Sequence, residues 1–363
     1  MLRILHLIDT LAAGGAERQL VYLLENLDRQ RFEPLVVTIY DEHHHYEPTL
    51  RALGIPLYSL HHGSLKPQNR VWALGRYLRL MWALRPAIVH SWLHYANLIA
   101  RCARPLCPSH RLITAIRSQY TIRQRQSERL TARLSDFRIV NNETLNLGLF
   151  EWNNTLFIPN GIPTHHFNTV TSEKPFAGNH FTLLLVARID PNKGHITLIK
   201  ALAALREELP PQFQAIFIGE VTSTLTQQAL EEAVVQHQLQ NIIHQLPSTH
   251  QIAPYYQFAD LVILPSDSEA FPNVVLESLA SGKPMIISEA ANMQNLIVHG
   301  ENGWVFPPGD AKALAKCLRQ ALALSADELA QMGQRGQARM AEYTVERMAD
   351  RYQRLYEELA TRS

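Results

Sequence analysis

Short apolar, β-branched runs alternate with stretches of helical periodicity along the chain. Ile4-Leu5-His6-Leu7-Ile8 is a strand-like run, and Leu20, Leu23, Leu24 and Leu27 follow it at i, i+3, i+4 and i+7, one face of a helix. The same alternation predicts strands at 34–39, 87–90, 112–116 and 137–140, and helices over 71–84, 94–104 and 124–135. Phe157 to Ile162 closes this series, and the polar stretch 163–179 is expected to be a linker. The pattern then restarts, with strands at 182–187, 215–218, 241–244, 261–264 and 284–287. Helices are expected over 195–207, 224–238 and 272–281, with a helical turn through 250–258. Met348, Tyr352, Leu355, Tyr356 and Leu359 share one face of a closing helix, which needs an apolar surface to lie on. Strands without polar alternation, separated by helices, predict parallel sheets covered on both faces. The fold class is therefore α/β, as two Rossmann-like doubly wound domains over residues 1–165 and 175–344. Ligands of such domains lie outside the carboxyl ends of the strands, here expected in a cleft between the two.

Composition narrows this further. The 363 residues suit two domains of about 150–200 residues. With 46% hydrophobic and 18% charged residues, neither a disordered chain nor a coiled coil is expected. Three cysteines make no disulfide framework and fit a reducing compartment. The start, Met1-Leu2-Arg3-Ile4-Leu5-His6, is interrupted too soon for a secretory signal, and no run approaches about 18 apolar residues. A cytoplasmic protein is expected, with room for association at the inner face of the membrane.

Three segments at expected strand ends carry chemistry. Gly14-Gly15 lies between the first strand and first helix, where glycine admits a ligand close to the backbone and a helix start offers N–H groups to an anion. By itself the pair equally suits a turn needed only for the chain path. Arg188 leaves a strand end and Lys193 stands just before a helix, so the two form a candidate diphosphate clamp, or alternatively surface ion pairs. The third segment runs from Leu264 to Pro284. Glu269 sits in its loop, Phe271, Pro272, Asn273 and Val274 open a helix, and Glu277 lies inside it. A helix start there suits a phosphate, and a carboxylate suits sugar hydroxyls. His43-His44-His45 lacks a partner pattern for a metal site, and Cys102 and Cys107 lack zinc partners at suitable spacing.

Taken together and in this order, these segments resemble the retaining glycosyltransferases of the GT-B fold, in the family-four group of bacterial polysaccharide and lipid-glycan transferases. Nearly the whole chain takes part: the glycine loop, Asn160-Gly161, Arg188 with Lys193, Glu269 to Glu277 as the E-x7-E motif, Gly300 to Asp310, and the closing stretch from Tyr343 to Leu359. The resemblance implies that Arg188 and Lys193 hold the nucleotide diphosphate and that Gly14 and Gly15 approach it from the other domain. Glu269 contacts the donor sugar, backbone from Phe271 to Val274 surrounds sugar and phosphate, and Glu277 binds the ribose. It implies that the last helix, about 345–363, returns to the N-terminal domain. No metal or other cofactor is expected, because the two cations and helix N–H groups already oppose the diphosphate charge. Ala270 stands where the group usually has Gly, and Glu220-Val221 and Pro247 fall near the expected base position, where glycines are common. The group's histidine before an Ala-Asn pair is displaced: Tyr95 precedes Ala96-Asn97 and His94 is one earlier, so His94 is the expected cleft histidine.

The expected activity is transfer of a hexosyl unit from a nucleotide-diphosphate sugar, a UDP-sugar for preference, to a glycan or lipid-linked acceptor in cell-surface polysaccharide synthesis. Glu269, Arg188, Lys193 and His94 are its expected catalytic residues. Two rivals are a non-catalytic nucleotide-sugar-binding protein and a two-domain NAD-dependent dehydrogenase, the latter disfavoured because the glycine loop lacks dinucleotide spacing. The net charge of +1 hides a division: residues 1–168 carry 19 basic and 12 acidic side chains, and residues 66–138 carry 14 against two. Arg70, Arg76, Arg79, Arg85, Arg117, Arg123 and Arg125 in this stretch point to an anionic acceptor or an anionic membrane rather than a nucleic acid. A solvated face paired with the acidic half is the alternative.

Overall fold

The computed structural model describes residues 1–40, 45–60, 67–142, 154–168, 180–249 and 251–361, with backbone alone over 67–71. Residues 169–179 of the expected linker and position 250 of the expected helical turn lie outside them. The chain divides into two compact units, Met1–Gly161 with Val345–Ser363, and Ile162–Thr344.

The first unit runs β1 (Leu2–Ile8), α1 (Gly15–Glu25), β2 (Phe32–Thr38), α2 (Glu47–Ala52), β3 (Leu57–Ser59), α3 (Pro67–Leu84) and β4 (Ile88–Trp92). It continues with α4 (His94–Ala103), β5 (Arg111–Ile116), α5 (Ile122–Thr131), β6 (Phe137–Val140) and β7 (Thr155–Phe157). The second runs α6 (Thr164–Asn168), β8 (Phe181–Val186), α7 (His195–Ala204), β9 (Phe213–Ile218), α8 (Thr224–Gln236), β10 (Ile243–Leu246) and α9 (Ala253–Phe258). After β11 (Leu261–Leu264) come α10 (Asn273–Ala280), β12 (Met285–Ser288), β13 (Gly303–Phe306), α11 (Ala311–Leu322) and α12 (Ala326–Gln337). Helix α13 (Val345–Thr361) belongs to the first unit again.

Both sheets are parallel. Their strand orders are β3-β2-β1-β4-β5-β6-β7 and β10-β9-β8-β11-β12-β13. Order reverses between β1 and β4 in the first and between β8 and β11 in the second, so each unit has a switch point where the loops after two adjacent strands diverge. The central strands are largely apolar because both faces are covered. On one face of the first sheet, Ile4, Ile8, Ile88 and Ile113 pack against α1, α2 and α13; on the other, Leu5, Leu7, Val89 and Leu112 pack against α3 and α4. The second core joins β8, β9, β11 and β12 to α7, α8, α11 and α12.

Several expectations need correction. The first unit ends at Gly161 rather than 165, and Thr164–Asn168, expected as linker, form α6, held because Phe167 is buried edge-to-face on Tyr256. Strand β10 begins two residues later than expected, helix α7 ends at Ala204 and α5 at Thr131. Strand β7 covers Thr155–Phe157, and the stretch from Ile158 to Ile162 continues past it as non-strand backbone. Helices α2, α11 and α12 and strands β3 and β13 were not among the expected elements. Leu314, Cys317, Leu318 and Ala321 of α11 do carry helical spacing and line the core. β13 begins with Gly303, a residue that weakens strand patterns, because a Cβ there would lie 2.1 Å from the Met285 carbonyl of the paired strand.

Arg117 is also not where the charge pattern placed it. It is buried just beyond β5, its guanidinium stacked 4.3 Å from the Trp92 ring and donating to Asn160 Oδ1 (3.0 Å) and the Tyr352 hydroxyl. It ties α13 to the sheet and is not part of a cationic surface.

Candidate active site

In the second unit, the loops after β8 and β11 flank the switch point. Asp190 Oδ1 accepts from the Asn192 N–H (2.9 Å), folding Pro191–Lys193 into a single 3-10 turn. Gly194 follows with φ +71°, and its missing Cβ leaves room for the Pro265 carbonyl, 2.0 Å from where a Cβ would stand. The Asp267 N–H donates to the Asn192 carbonyl (2.8 Å), so the two loops are hydrogen-bonded to each other. This fixes Lys193 against Glu269: Nζ to Oε1 is 2.6 Å, with both side chains largely buried. Ser266 Oγ donates to the same oxygen at 2.8 Å. Of the residues expected here, Lys193 and Glu269 are thus in direct contact, whereas Arg188 is exposed just past the end of β8.

Helix α10 begins beside this pair. Pro272 is its N-cap rather than its first helical residue, and proline has no side-chain group to cap the first N–H groups. The α10 start therefore adds its partial positive charge near the Lys193–Glu269 pair. Phe271 and Asn273 are buried, Phe271 against the Tyr343 ring at 6.1 Å, and Val274 is partly exposed. Glu277 is fully buried, one turn in, and its Oε2 accepts from the Tyr256 hydroxyl at 2.7 Å.

In the first unit, Gly14 caps α1 and Gly15 is its first residue. A Cβ on Gly14 would meet Glu17 Oε2 at 2.1 Å, so the Glu17 carboxylate folds back over the loop, where Thr10 Oγ1 donates to it (3.3 Å). Asp9, at the end of β1, accepts from the Ala96 N–H (2.9 Å) and joins β1 to the start of α4 across the switch point. Burial, reinforced by the Glu17 charge, pushes its carboxyl up to about 7. Two acidic side chains thus stand beside the glycine loop. His94 opens α4 after Leu93, whose φ of +72° is strained for a branched side chain. Its ring is buried between Tyr95 and Tyr120, with Nε2 3.4 Å from Ser127 Oγ, and burial lowers its pKa. A neutral imidazole held this way is a hydrogen-bonding group rather than a standing cation.

Sequence reasoning missed Asp9, Ser266 and Tyr256. Asp9 and Ser266 each stand one or two positions past an apolar run, which is the signal that could have found them; Tyr256 carries none. His43 and His44 lie outside the described residues, and among the described residues no group of three or more His, Cys, Asp or Glu is arranged to hold a metal ion. No described helix is long and apolar enough to cross a membrane.

Residues 168–339 match the family model of glycosyl transferases group 1. A D-inositol 3-phosphate glycosyltransferase of Pseudarthrobacter chlorophenolicus is 32% identical over 126 residues, 34% of this chain and 30% of the relative. The putative colanic acid biosynthesis glycosyltransferase WcaL of Escherichia coli is 27% identical over 168 residues, 44% of this chain and 40% of the relative. The aligned parts thus span less than half the length of these two curated relatives. Among solved structures, Anabaena HepE in complex with UDP and glucose superposes with a TM-score of 0.86 at 20% identity, covering 99% of this chain and all of that one. The likeness in fold extends over both units.

Proposed function

We propose that the chain is a glycosyltransferase using a nucleotide-diphosphate hexose, a reading supported by the match of residues 168–339 to the group 1 glycosyl transferase model and by the GT-B fold. The observation that carries this is the Lys193–Glu269 pair at 2.6 Å, set at the switch point beside the uncapped start of α10. Cation, carboxylate and helix start occupy one small region, as needed to hold an anionic leaving group next to a sugar. Binding of UDP and glucose by HepE and the colanic acid role in the name of WcaL support a UDP-sugar donor and a polysaccharide acceptor.

In this reading the donor diphosphate takes Lys193 as its counter-charge, joined by Arg188 and the α10 N–H groups. Glu269, released from Lys193 or sharing it, accepts from the sugar hydroxyls. Glu277 meets the ribose. The anomeric C–O bond to phosphate breaks through an oxocarbenium-like state as the acceptor oxygen forms the new glycosidic bond. The departing phosphate takes the acceptor's proton on the same face, so configuration is retained. The developing negative charge is stabilised by the chain's own cations and helix dipole, so the reading requires no metal.

Glu269→Ala and Lys193→Ala are each expected to lose about a hundredfold or more in turnover of UDP-hexose while keeping a cooperative melting transition. Steady-state assay with circular dichroism on both variants checks this. Wild-type-like turnover in either removes the pair from the reaction.

A further inference from the structure

Part of the basic surplus of the sequence lies, in the folded chain, on the helix layer of α3 to α5. Helices α3 and α4 cover the same face of the first sheet, and α5 packs on α4. On α3 the outward arc includes Trp72, Arg76, Arg79 and Trp82, with Trp72 77% and Trp82 55% exposed. Trp82 is held in place: its Nε1 donates to the Leu106 carbonyl (3.1 Å) and the Arg85 guanidinium lies 6.0 Å from its ring. On α5, Ile122 and Leu130 are 78% and 83% exposed. Exposed indoles interleaved with arginines are costly in water and are the usual residue choice at a headgroup boundary.

The acids of this region are neutralised internally. Between Pro67 and Ser135 the sequence contains one, Glu128, and it is buried in a two-pronged pair with Arg101 at 2.7 Å. Asp136, next in the chain, is engaged by Arg104 at 2.6 Å and the Leu112 N–H at 2.7 Å. The opposite layer differs: α13 alternates Glu346, Arg347, Asp350, Arg351 and Arg354 in the mixed pattern of a solvated face. Arg70, named above with this cationic group, has a side chain outside the described residues, and Arg117 is buried.

We propose that the α3–α5 layer docks on an anionic lipid bilayer, with Trp72 and Trp82 seated at the headgroup boundary and Arg76 and Arg79 on anionic headgroups. Arg76 and Arg79, with no ion pair among the described residues, match the negative surface, and indoles give it a reason to prefer a bilayer to a dissolved polyanion. This deepens the acceptor part of the reading above and rests on it only in placing the enzyme where lipid-linked acceptors reside.

The test is co-sedimentation of the full chain with phosphatidylcholine vesicles, with and without phosphatidylglycerol. Donor-sugar hydrolysis in solution is measured alongside. Wild type is expected to partition onto anionic vesicles at least about tenfold more than onto neutral ones. Arg76→Glu/Arg79→Glu and Trp72→Ser/Trp82→Ser should each reduce this about tenfold or more, with hydrolysis unchanged. Wild type remaining in the supernatant overturns the proposal, as does either double variant binding like wild type. Loss with the arginine pair but not the tryptophan pair identifies a soluble polyanion as the partner and equally overturns the bilayer. Vesicle binding without hydrolysis leaves the surface standing and removes the donor reading; hydrolysis without binding does the reverse.

Discussion

Asp9 is a largely buried acid of the first unit held by the start of α4. Its carboxyl accepts from the start of α4 while burial and Glu17 raise its pKa from 3.8 to about 7. The folded protein therefore keeps this proton up to neutral pH, whereas the unfolded chain releases it near pH 4. Between those values the native state binds more protons than the unfolded one, so stability falls as pH rises. Asp9→Asn keeps an oxygen for the Ala96 N–H and removes the charge. It should be at least about 1 kcal/mol more stable than wild type at pH 8, with the gain gone at pH 4. Urea midpoints at the two pH values measure this, and a gain independent of pH would mean that the proton plays no part. At this scale Glu269, Lys193 and Glu277 were legible because their spacing is local to two loops and a helix. Asp9 and Tyr256 were not, because their partners, Ala96 and Glu277, are 87 and 21 positions away.

At the scale of elements, the site depends on close approach between the α7 start and the loop after β11. Gly194→Ala places a methyl in the left-handed region and against the Pro265 carbonyl. The two loops must separate, and Lys193 moves with them away from Glu269. A loss of about 2 kcal/mol or more in stability is expected, together with a drop in turnover that exceeds any change in the far core. Chemical denaturation paired with donor turnover checks both; a variant of unchanged stability contradicts the packing described. The positions of α7 and α10 themselves followed from apolar spacing and from Pro272 and Gly282. β3 and α2 did not, because a three-residue, half-buried edge strand and a helix of under two turns bury too little to leave a period.

For the whole molecule the telling element is α13, which returns to the first unit after 183 residues of the second. Its Val345, Met348, Tyr352, Leu355, Tyr356 and Leu359 are among the buried residues of the first core, and Tyr352 also accepts from buried Arg117. Burial of each large apolar side chain contributes about 1.5–3 kcal/mol, so together they rival the whole stability of a domain. A chain ending at Thr344 should leave the first unit unfolded and dye-binding, while residues 162–344, whose core contains no α13 residue, resist limited proteolysis. Survival of the first unit in that digest would show that α13 is peripheral.

The alternation of apolar runs and helical faces determined, by itself, two parallel α/β units, because buried strands and amphipathic helices announce their burial locally. It also located the loops that carry Lys193 and Glu269, since strand ends and helix starts are short-range features. Only the tertiary structure decided that these two side chains meet, that Glu277 is enclosed with Tyr256, that Arg117 is a buried tether, and that Arg76 and Arg79 share one face of α3 with two exposed tryptophans. Each of those outcomes depends on groups far apart in sequence arriving at one place, and on burial that sets which charges face water. A linear pattern of residue types carries neither.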